Sequence, residues 1–454
     1  MKMENQESIR LLESVSPSTL KLLEWISEKA GQRQVSIYIV GGFVRDLILH
    51  HPTTDFDIVI EGDAINFAKS LFRALGGRLV THSTFRTAMW NIHSIQEKLQ
   101  TELGLNESDN SLSLPKHIDF ITAREESYPS PAALPVVKPG TINSDLGRRD
   151  FTINTLAINM NIDHFGELLD PFEGYKDIRN GSVRVLHARS FIDDPTRQLR
   201  AVRFEQRFGF QIDNHTLQLM EEARQYLGKI TGIRIRHELD LMFKEEHFDR
   251  MFARAQELGI LSAIHPSLKW ETKAADSIRK ISQLNWEPEW GIRPSFGKLD
   301  FKTGLKYCLW LTPLSIQDQK SVTQRLCIPQ TISSIVNKVH DLSEMLPSMK
   351  ELPVSEITFL LDKFPVIATL VCSLSDNDLW IIDTLKQYLI QWRKMAQKTD
   401  GHDLRNLGLP TSSVYRTILT TLRAGWLDGQ IHSAAEEQIL LIKLLKQQRD
   451  DFKN

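Results

Sequence analysis

The chain has 454 residues, about three times the usual single-domain length of roughly 150, so several domains are expected. Lys plus Arg number 55 and Asp plus Glu 57, a formal net charge of −2 that excludes a histone-like polycation but leaves room for a basic face within a neutral total. At 41% hydrophobic and 25% charged the composition is that of a globular protein and argues against disorder. No run approaches the ~20 apolar residues that span a bilayer, and no membrane partner is expected. The opening MKMENQESIRLLESVSPSTL has no apolar signal core, so a cytoplasmic protein is expected. Cys308, Cys327 and Cys372 lie far apart with no CxxC pair, which indicates neither a disulfide framework nor a zinc site.

Along the chain, Val35 to Val40 (VSIYIV) predicts a buried strand stopped at Gly41-Gly42. A short helical stretch follows, then a strand from Phe56 to Ile60. Ala64 to Leu75 carries apolar residues at helical spacing behind Asp63, a plausible N-cap. Strands are predicted at Arg78 to Val80, Ala88 to Ile92, His117 to Thr122 and Ile153 to Asn159. Gln96 to Pro115 reads as a polar, solvated insertion between two of them. From about Arg184 the alternation gives way to amphipathic helical patterns such as Leu217 to Leu227, Ile357 to Phe364 and Glu436 to Leu445. The expected fold class is therefore α+β: a head over residues 1–183, then a helical neck over 184–265 and a helical body and tail over 266–454. Trp286, Trp290 and Trp310 are expected to fill helical core.

Four constellations carry chemistry. In the first, GGFVRD (Gly41 to Asp46) precedes TTDFDIVI (Thr53 to Ile60). Two glycines after a strand let the backbone approach a phosphate closely at a following helix N-terminus. Asp55 and Asp57 alternate along a strand and so share a face. Such carboxylates repel unless a cation sits between them, and hard oxygen donors suit Mg²⁺. Two solvated carboxylates would read the same way, but the preceding GGFVRD tips the balance to a metal site. Asp119, in HIDFITA, is either a third carboxylate on a neighbouring strand, as two-ion phosphoryl transfer requires, or an edge-strand acid.

In the second, RRDFTINTLAIN, Arg148 and Arg149 stand before an apolar run; planar guanidinium donors grip phosphate oxygens, though a basic loop would look alike. In the third, LLDPFEGYKDI, Asp170 and Asp177 are expected to be mainly structural. The fourth, DDPTRQLRAVRFEQRFGF, repeats Arg197, Arg200, Arg203 and Arg207 every three or four residues on related faces of one helix. A solvated face is the plain alternative; the aromatic neighbours and adjacent acids favour a nucleotide or RNA groove.

The ordered set GGFVRD…DFD, RRDFTIN, DPFEGYKDI, DDPTRQLRAVRF and TGIRIRHEL resembles the class II tRNA nucleotidyltransferase and bacterial poly(A) polymerase family. The tail stretch GHDLRNLGLP…LRAGWLDGQI resembles that family's C-terminal segment, so the likeness spans most of the chain. It implies a polymerase-β-type nucleotidyltransferase head with an all-helical neck, body and tail that hold tRNA. By motif match, Asp55 and Asp57 are the implied Mg²⁺ carboxylates. The resemblance implies that Gly41, Gly42 and Arg45 lie at the triphosphate, Arg148 and Asp150 at the ribose or phosphates, and Asn154 among the nucleotide-binding residues. Asp193, Asp194 and Arg197 stand where the family has its E-D-x-x-R nucleotide-selecting motif, with Arg200 and Arg203 in the stripe behind them. Asp for Glu at 193 weakens a positioning role there, and Phe85-Arg86-Thr87 departs from the usual F-G-T.

The implied activity is template-independent addition of CCA, or its terminal A, to the tRNA 3′ end from CTP and ATP with release of pyrophosphate. A poly(A) polymerase is the alternative, since it would share every head motif, and a non-catalytic RNA-binding factor is disfavoured by intact Asp55, Asp57 and Arg148. CC-adding members of the family shorten a flexible loop in the region of Ala123 to Asn143; its full length here argues for A addition. An A-only enzyme would have a separate enzyme as partner in completing CCA. His340-Asp341 and His402-Asp403 are isolated dipeptides, read as surface or capping residues and not as an HD-type phosphohydrolase. Asp194 and Arg197, three apart, are expected to share a helix face and to read one base edge.

Overall fold

The computed structural model describes residues 11–12, 15–51, 56–105, 114–283, 296–297, 299–409 and 413–451. Asp55, Trp286 and Trp290 lie outside the described residues. Two compact units divide the chain, Met1–Ile264 and His265–Asn454.

The first unit is built on α1 (Pro17–Gly31), β1 (Ser36–Val40), α2 (Gly42–Ile48), β2 (Asp57–Glu61), α3 (Ala64–Leu75), β3 (Arg78–His82), β4 (Thr87–Asn91), α4 (Gln96–Glu102) and β5 (His117–Thr122). There follow β6 (Arg124–Ser127), β7 (Val136–Pro139), α5 (Ile142–Gly147), β8 (Ala157–Asn159), β9 (Leu168–Leu169), α6 (Gly174–Asn180) and β10 (Ser182–Val183). The unit closes with α7 (Ser190–Asp193), α8 (Arg197–Phe208), β11 (Gln211–Ile212), α9 (Asn214–Ala223), α10 (Gly232–Lys244), α11 (Phe248–Glu257) and α12 (Ile260–Ile264). Seven strands form a mixed sheet in the order β3-β4-β5-β2-β1-β8-β9. The parallel pair β2–β5 puts Asp57 directly opposite Asp119. Asp119 is therefore on an interior strand and not at an edge.

Local chemistry explains the elements. Asp63 accepts the Asn66 N–H and caps α3, whose buried Phe67, Ala68, Leu71 and Leu75 recur at helical spacing. Phe67 meets Phe120 of β5 edge to face at 5.6 Å, locking helix onto sheet. Burial of each such side chain contributes about 1.5–3 kcal/mol.

The structure corrects the sequence reading at several points. The supposed insertion begins with α4, anchored by a fully buried Leu99; residues 106–113 lie outside the described residues. The predicted strand from Ile153 starts only at Ala157, because Thr152–Asn154 form a 3₁₀ turn. Asn154 and Thr155 drive that turn: one side chain binds Asp150, and the other donates to the Thr152 carbonyl at 2.7 Å. α9 stops at Ala223 and passes into a 3₁₀ segment over Arg224–Lys229. Asp193 to Phe210 is two helices with Asp194 extended between them, since Pro195 cannot continue the first. Ala123 to Asn143 contains the antiparallel hairpin β6–β7.

The second unit is helical among the described residues: α13 (Thr272–Arg279), α14 (Phe301–Leu311), α15 (Ile316–Arg325), α16 (Gln330–Met345), α17 (Val354–Leu361) and α18 (Val366–Ser375), then α19 (Leu379–Ile390), α20 (Gly401–Asn406), α21 (Ser413–Leu427) and α22 (Ala434–Asp451). Trp310 is core as expected, its indole donating to the Lys269 carbonyl at 2.7 Å beside Trp270. Asp403 completes a capping box with Asp400 at the start of α20, and Asp341 pairs with Lys338. No group of three or more potential metal ligands occurs among the described residues. Among them, too, no single helix is long and apolar enough to cross a membrane.

Candidate active site

One cavity of about 490 Å³ in the first unit gathers most of the residues singled out from the sequence. Gly42, Arg45, Asp57, Arg148, Asp150, Asn154, Asp194, Arg197 and Arg200 all line it. Its walls come from α2, the start of β2, the β6–β7 hairpin, the loop after α5, and the junction of α7 with α8 and the first turns of α8.

The first wall depends on the turn after β1. Gly41 takes φ 68°, which favours glycine, and a Cβ there would also push the Arg149 guanidinium out of place. α2 then carries Arg45, only 5% exposed, whose guanidinium binds Asn154 Oδ1 and Asp46 and lies 4.6 Å from the Phe208 ring centroid. Burial pulls the Arg45 pKa below its usual value, partly offset by the Asp46 charge.

The second wall is organised by Asp145, which is fully buried. It receives Arg148 at 2.7 Å and Arg149 at 3.0 Å, aligning both guanidinium groups. Burial pushes its carboxyl up, but the Arg149 and Arg148 charges outweigh this and hold it below the usual range. Asp150 accepts from Asn154 Nδ2 at 2.9 Å and from Arg200 Nε at 2.7 Å. Burial again pushes this carboxyl up, and Arg200 with Asn154 more than reverses it.

In the third wall, Asp194 and Arg197 face the same cavity although no single helix carries them. Asp194 follows α7, where Oδ1 accepts from Thr196 N, Thr196 Oγ1 and Arg234 at 3.1, 2.6 and 2.8 Å. Arg197 opens α8 and is fixed by Ser190 Oγ at 2.7 Å and the Arg148 carbonyl at 2.8 Å. The expected shared helix face is thus replaced by a turn that brings the two together.

Among the described residues, four expected ones do not line the cavity. Gly41 shapes the turn behind it, and Asp119, beside Asp57 on the ladder, faces His117 at 3.9 Å. Asp193 pairs with Arg189 at 3.2 Å. Arg203 is buried against Glu238 and Glu245 at 3.5 and 3.7 Å and so belongs to neck packing. Asp170 and Asp177 are structural as expected: Asp170 accepts the N–H groups of Gly174 and Tyr175, and Asp177 binds Thr152 and Arg184.

Sequence reading missed Arg124 and Glu126 of β6 and Tyr128 just after it, which line the cavity. Glu126 accepts from Arg124, Arg148 and Tyr128, each within 3.1 Å. Burial, with the Glu126 and Asp194 charges, pushes the Tyr128 hydroxyl up to about 12 despite the Arg197 charge, so it remains a donor. Their spacing of two was the available signal, masked by the prolines that follow.

Chemically, a cluster of guanidinium donors beside Asp57 suits a phosphate chain with a bound cation. Asp57 and Asp119 supply hard oxygen donors side by side on paired strands, a set that fits Mg²⁺ or a similar divalent ion.

Comparison with known proteins agrees with this geometry. Residues 37–184 match the poly A polymerase head domain, and residues 209–271 match the domain described as "probable RNA and SrmB-binding site of polymerase A". An A-adding tRNA nucleotidyltransferase of Halalkalibacterium halodurans is 30% identical over 91% of this chain and 90% of its own length. Another, of Geobacter sulfurreducens, is 31% identical over 94% of this chain, which spans 47% of that relative. The Thermotoga maritima CCA-adding enzyme complexed with tRNA superposes with a TM-score of 0.73 at 28% identity, over 98% of both chains. Fold, motif order and full-length likeness together place this chain in the tRNA nucleotidyltransferase family, built on a poly A polymerase head domain.

Proposed function

We propose that this chain is a template-independent nucleotidyltransferase that completes the CCA end of tRNA, adding the terminal A from ATP and, if it makes the whole triplet, C from CTP. The terminal A is common to the names of the A-adding and CCA-adding relatives. If A is all it adds, a separate enzyme must supply CC. A cytoplasmic location goes with this reading.

The observation that carries the proposal is the convergence of Asp57, the arginine cluster and the Asp194–Arg197 pair on one cavity. Arg45, Arg148 and Arg149 hold the triphosphate, aligned by Asn154 and Asp145. Asp150 keeps Arg200 at the ribose end. Asp55 and Asp57, with Asp119 alongside, would hold Mg²⁺, which when bound supplies charge neutralisation at the reacting phosphate and acidifies the RNA 3′-hydroxyl. In the reaction that hydroxyl oxygen bonds to the α-phosphorus, the bond to the β-phosphate oxygen breaks, pyrophosphate leaves, and the hydroxyl proton passes to solvent.

Base selection rests on donor order. Cytosine and adenine present an amino donor beside a ring-nitrogen acceptor, which suits a carboxylate that only accepts and a guanidinium that only donates. Uracil and guanine present the reverse and would leave like partners facing each other, a mismatch worth discrimination of roughly 10⁴.

The test is extension of three tRNA transcripts, ending before CCA, after C and after CC, with CTP and ATP separately and together. Addition of A to the transcript ending in CC is expected. Addition of CC without terminal A when both nucleotides are present would overturn the proposal, as would long tails on unrelated RNA with ATP.

A further inference from the structure

Asp194 can discriminate only if its carboxylate is held in one rotation, and the group that completes this hold lies outside the cavity. Arg234, in the first turn of α10, spreads its guanidinium between two acceptors. Nη2 donates to Asp194 Oδ1 at 2.8 Å and Nη1 to the Ala132 carbonyl at 3.3 Å. Ala132 is at the tip of the β6–β7 hairpin and takes φ 63°, a conformation an alanine keeps only where its surroundings over-determine it. Its own N–H donates to the Ile192 carbonyl of α7 at 3.0 Å, so the tip is pinned from both sides.

The same hairpin reaches the other half of the pair. Glu126 of β6 holds Arg148 at 3.1 Å, and the Arg148 carbonyl receives Arg197 at 2.8 Å. Both members of the reading pair are thus tied to one hairpin, Arg197 through Arg148 and Asp194 through Arg234.

We propose that Arg234 is a positioning residue for nucleotide selection, coupling Asp194 to the hairpin tip; the proposal rests on the base-reading role given to Asp194 and Arg197. The donors that meet Asp194 from Thr196 and Arg234 all fall on Oδ1, which leaves Oδ2 for a donor in the cavity. Thr196 is two residues away and moves with Asp194, whereas Arg234 anchors it to a different helix. Without that anchor the carboxylate can turn to accept a ring N–H as readily as an amino group, and guanine is no longer rejected. A lysine, with one compact ammonium in place of a fork, cannot bridge both acceptors in the same way.

The experiment measures kcat/KM for ATP and GTP on tRNA ending in CC, using the full chain and the variants Arg234→Ala, Arg234→Lys, Asp194→Ala, Arg197→Ala and the Asp194→Ala/Arg234→Ala double variant. Arg234→Ala should lower the ATP preference by about 10- to 100-fold, the range expected for a lost charge-assisted hydrogen bond. Arg234→Lys should fall between it and wild type, and the double variant should match Asp194→Ala alone, because Arg234 acts through Asp194. If Arg234→Ala fails to fold, the Lys variant carries the same test. Wild-type preference in the Arg234 variants with preference lost in Arg197→Ala would overturn the role of Arg234 alone. Wild-type preference in both would overturn the base-reading assignment itself. Additive losses in the double variant would show that Arg234 does not act through Asp194.

Discussion

Asp150 in the first unit and Glu437 in the second are both carboxylates cut off from water, at 7% and 0% exposure, yet their partners differ in kind. Asp150 is met by a charge, Arg200, as well as by Asn154. Glu437 is met only by neutral donors: the N–H groups of Lys398 and Thr399 at 2.8 and 2.7 Å, the Thr399 hydroxyl and the Trp426 indole. These neutral donors join α21 and α22 to the segment before α20. An ion pair at the rim of a cavity keeps guanidinium hydrogens for a ligand, because Arg presents five donors and Asp150, with Glu238 3.6 Å from Arg200 Nη1, uses only part of them. The buried carboxylate that faces the cavity, Asp150, therefore serves chemistry, whereas Glu437 serves architecture, as the Arg203–Glu238 pair does within the first unit.

The sharpest break of that comparison is at Asp57. Asp57→Ala should lower incorporation of every nucleotide by about 10³-fold or more while thermal melting stays near wild type, since the lost group serves phosphoryl transfer. A loss confined to one nucleotide would contradict this.

Next in size is Asp150→Ala, which leaves Arg200 with Glu238 alone and removes the acceptor of Asn154 Nδ2. A fall in kcat/KM of about 10- to 100-fold is expected for all nucleotides alike, read by single-turnover assay. Glu437→Ala should do the opposite. It strands four donors in the second unit and should cost about 2–4 kcal/mol, seen as a melting temperature lower by ~5–10 °C, with nucleotide preference unchanged.

The smallest effect is on acid stability. At both carboxylates burial pushes the pKa up and the partners pull it below the usual value, Arg200 foremost at Asp150 and the Lys398 N–H at Glu437. Each contribution is fully present above the unfolded values of about 3.9 and 4.3, begins to fall as pH drops through them, and is gone below the lower folded ones. Melting followed from pH 6 to 3 should show Asp150→Asn and Glu437→Gln losing less stability on acidification than wild type.

What could be read from the sequence follows the same division. Motif residues whose chemistry restricts the side-chain type were visible: the Gly41 turn, Asp57 with its neighbour Asp119, the Arg148–Asp150 run and the pair at 194 and 197. α3 and its Asp63 cap were equally visible, because apolar spacing and a capping residue agree. Other features depend on distant partners. Arg197 and Arg203 look equivalent in the helical stripe, and only the approach of Glu238 and Glu245 turns Arg203 into packing. The 153–159 strand was overpredicted because the Asp150–Asn154 bond bends its first half. The hairpin at 124–139 escaped notice because Pro129, Pro131, Pro135 and Pro139 read as a connecting loop, whereas its residues Glu126 and Ala132 bind Arg148 and Arg234, which contact Arg197 and Asp194.

The central claim is that protein side chains in this one cavity choose the base. Its most direct test is kcat/KM for ATP, GTP, CTP and UTP on tRNA ending in CC, for wild type and Arg197→Ala at matched folding. Wild type should prefer ATP over GTP by several orders of magnitude, and Arg197→Ala should lose about 100-fold or more of that preference. Retention of wild-type discrimination against GTP and UTP by Arg197→Ala would contradict it and leave Arg197 a phosphate-binding residue.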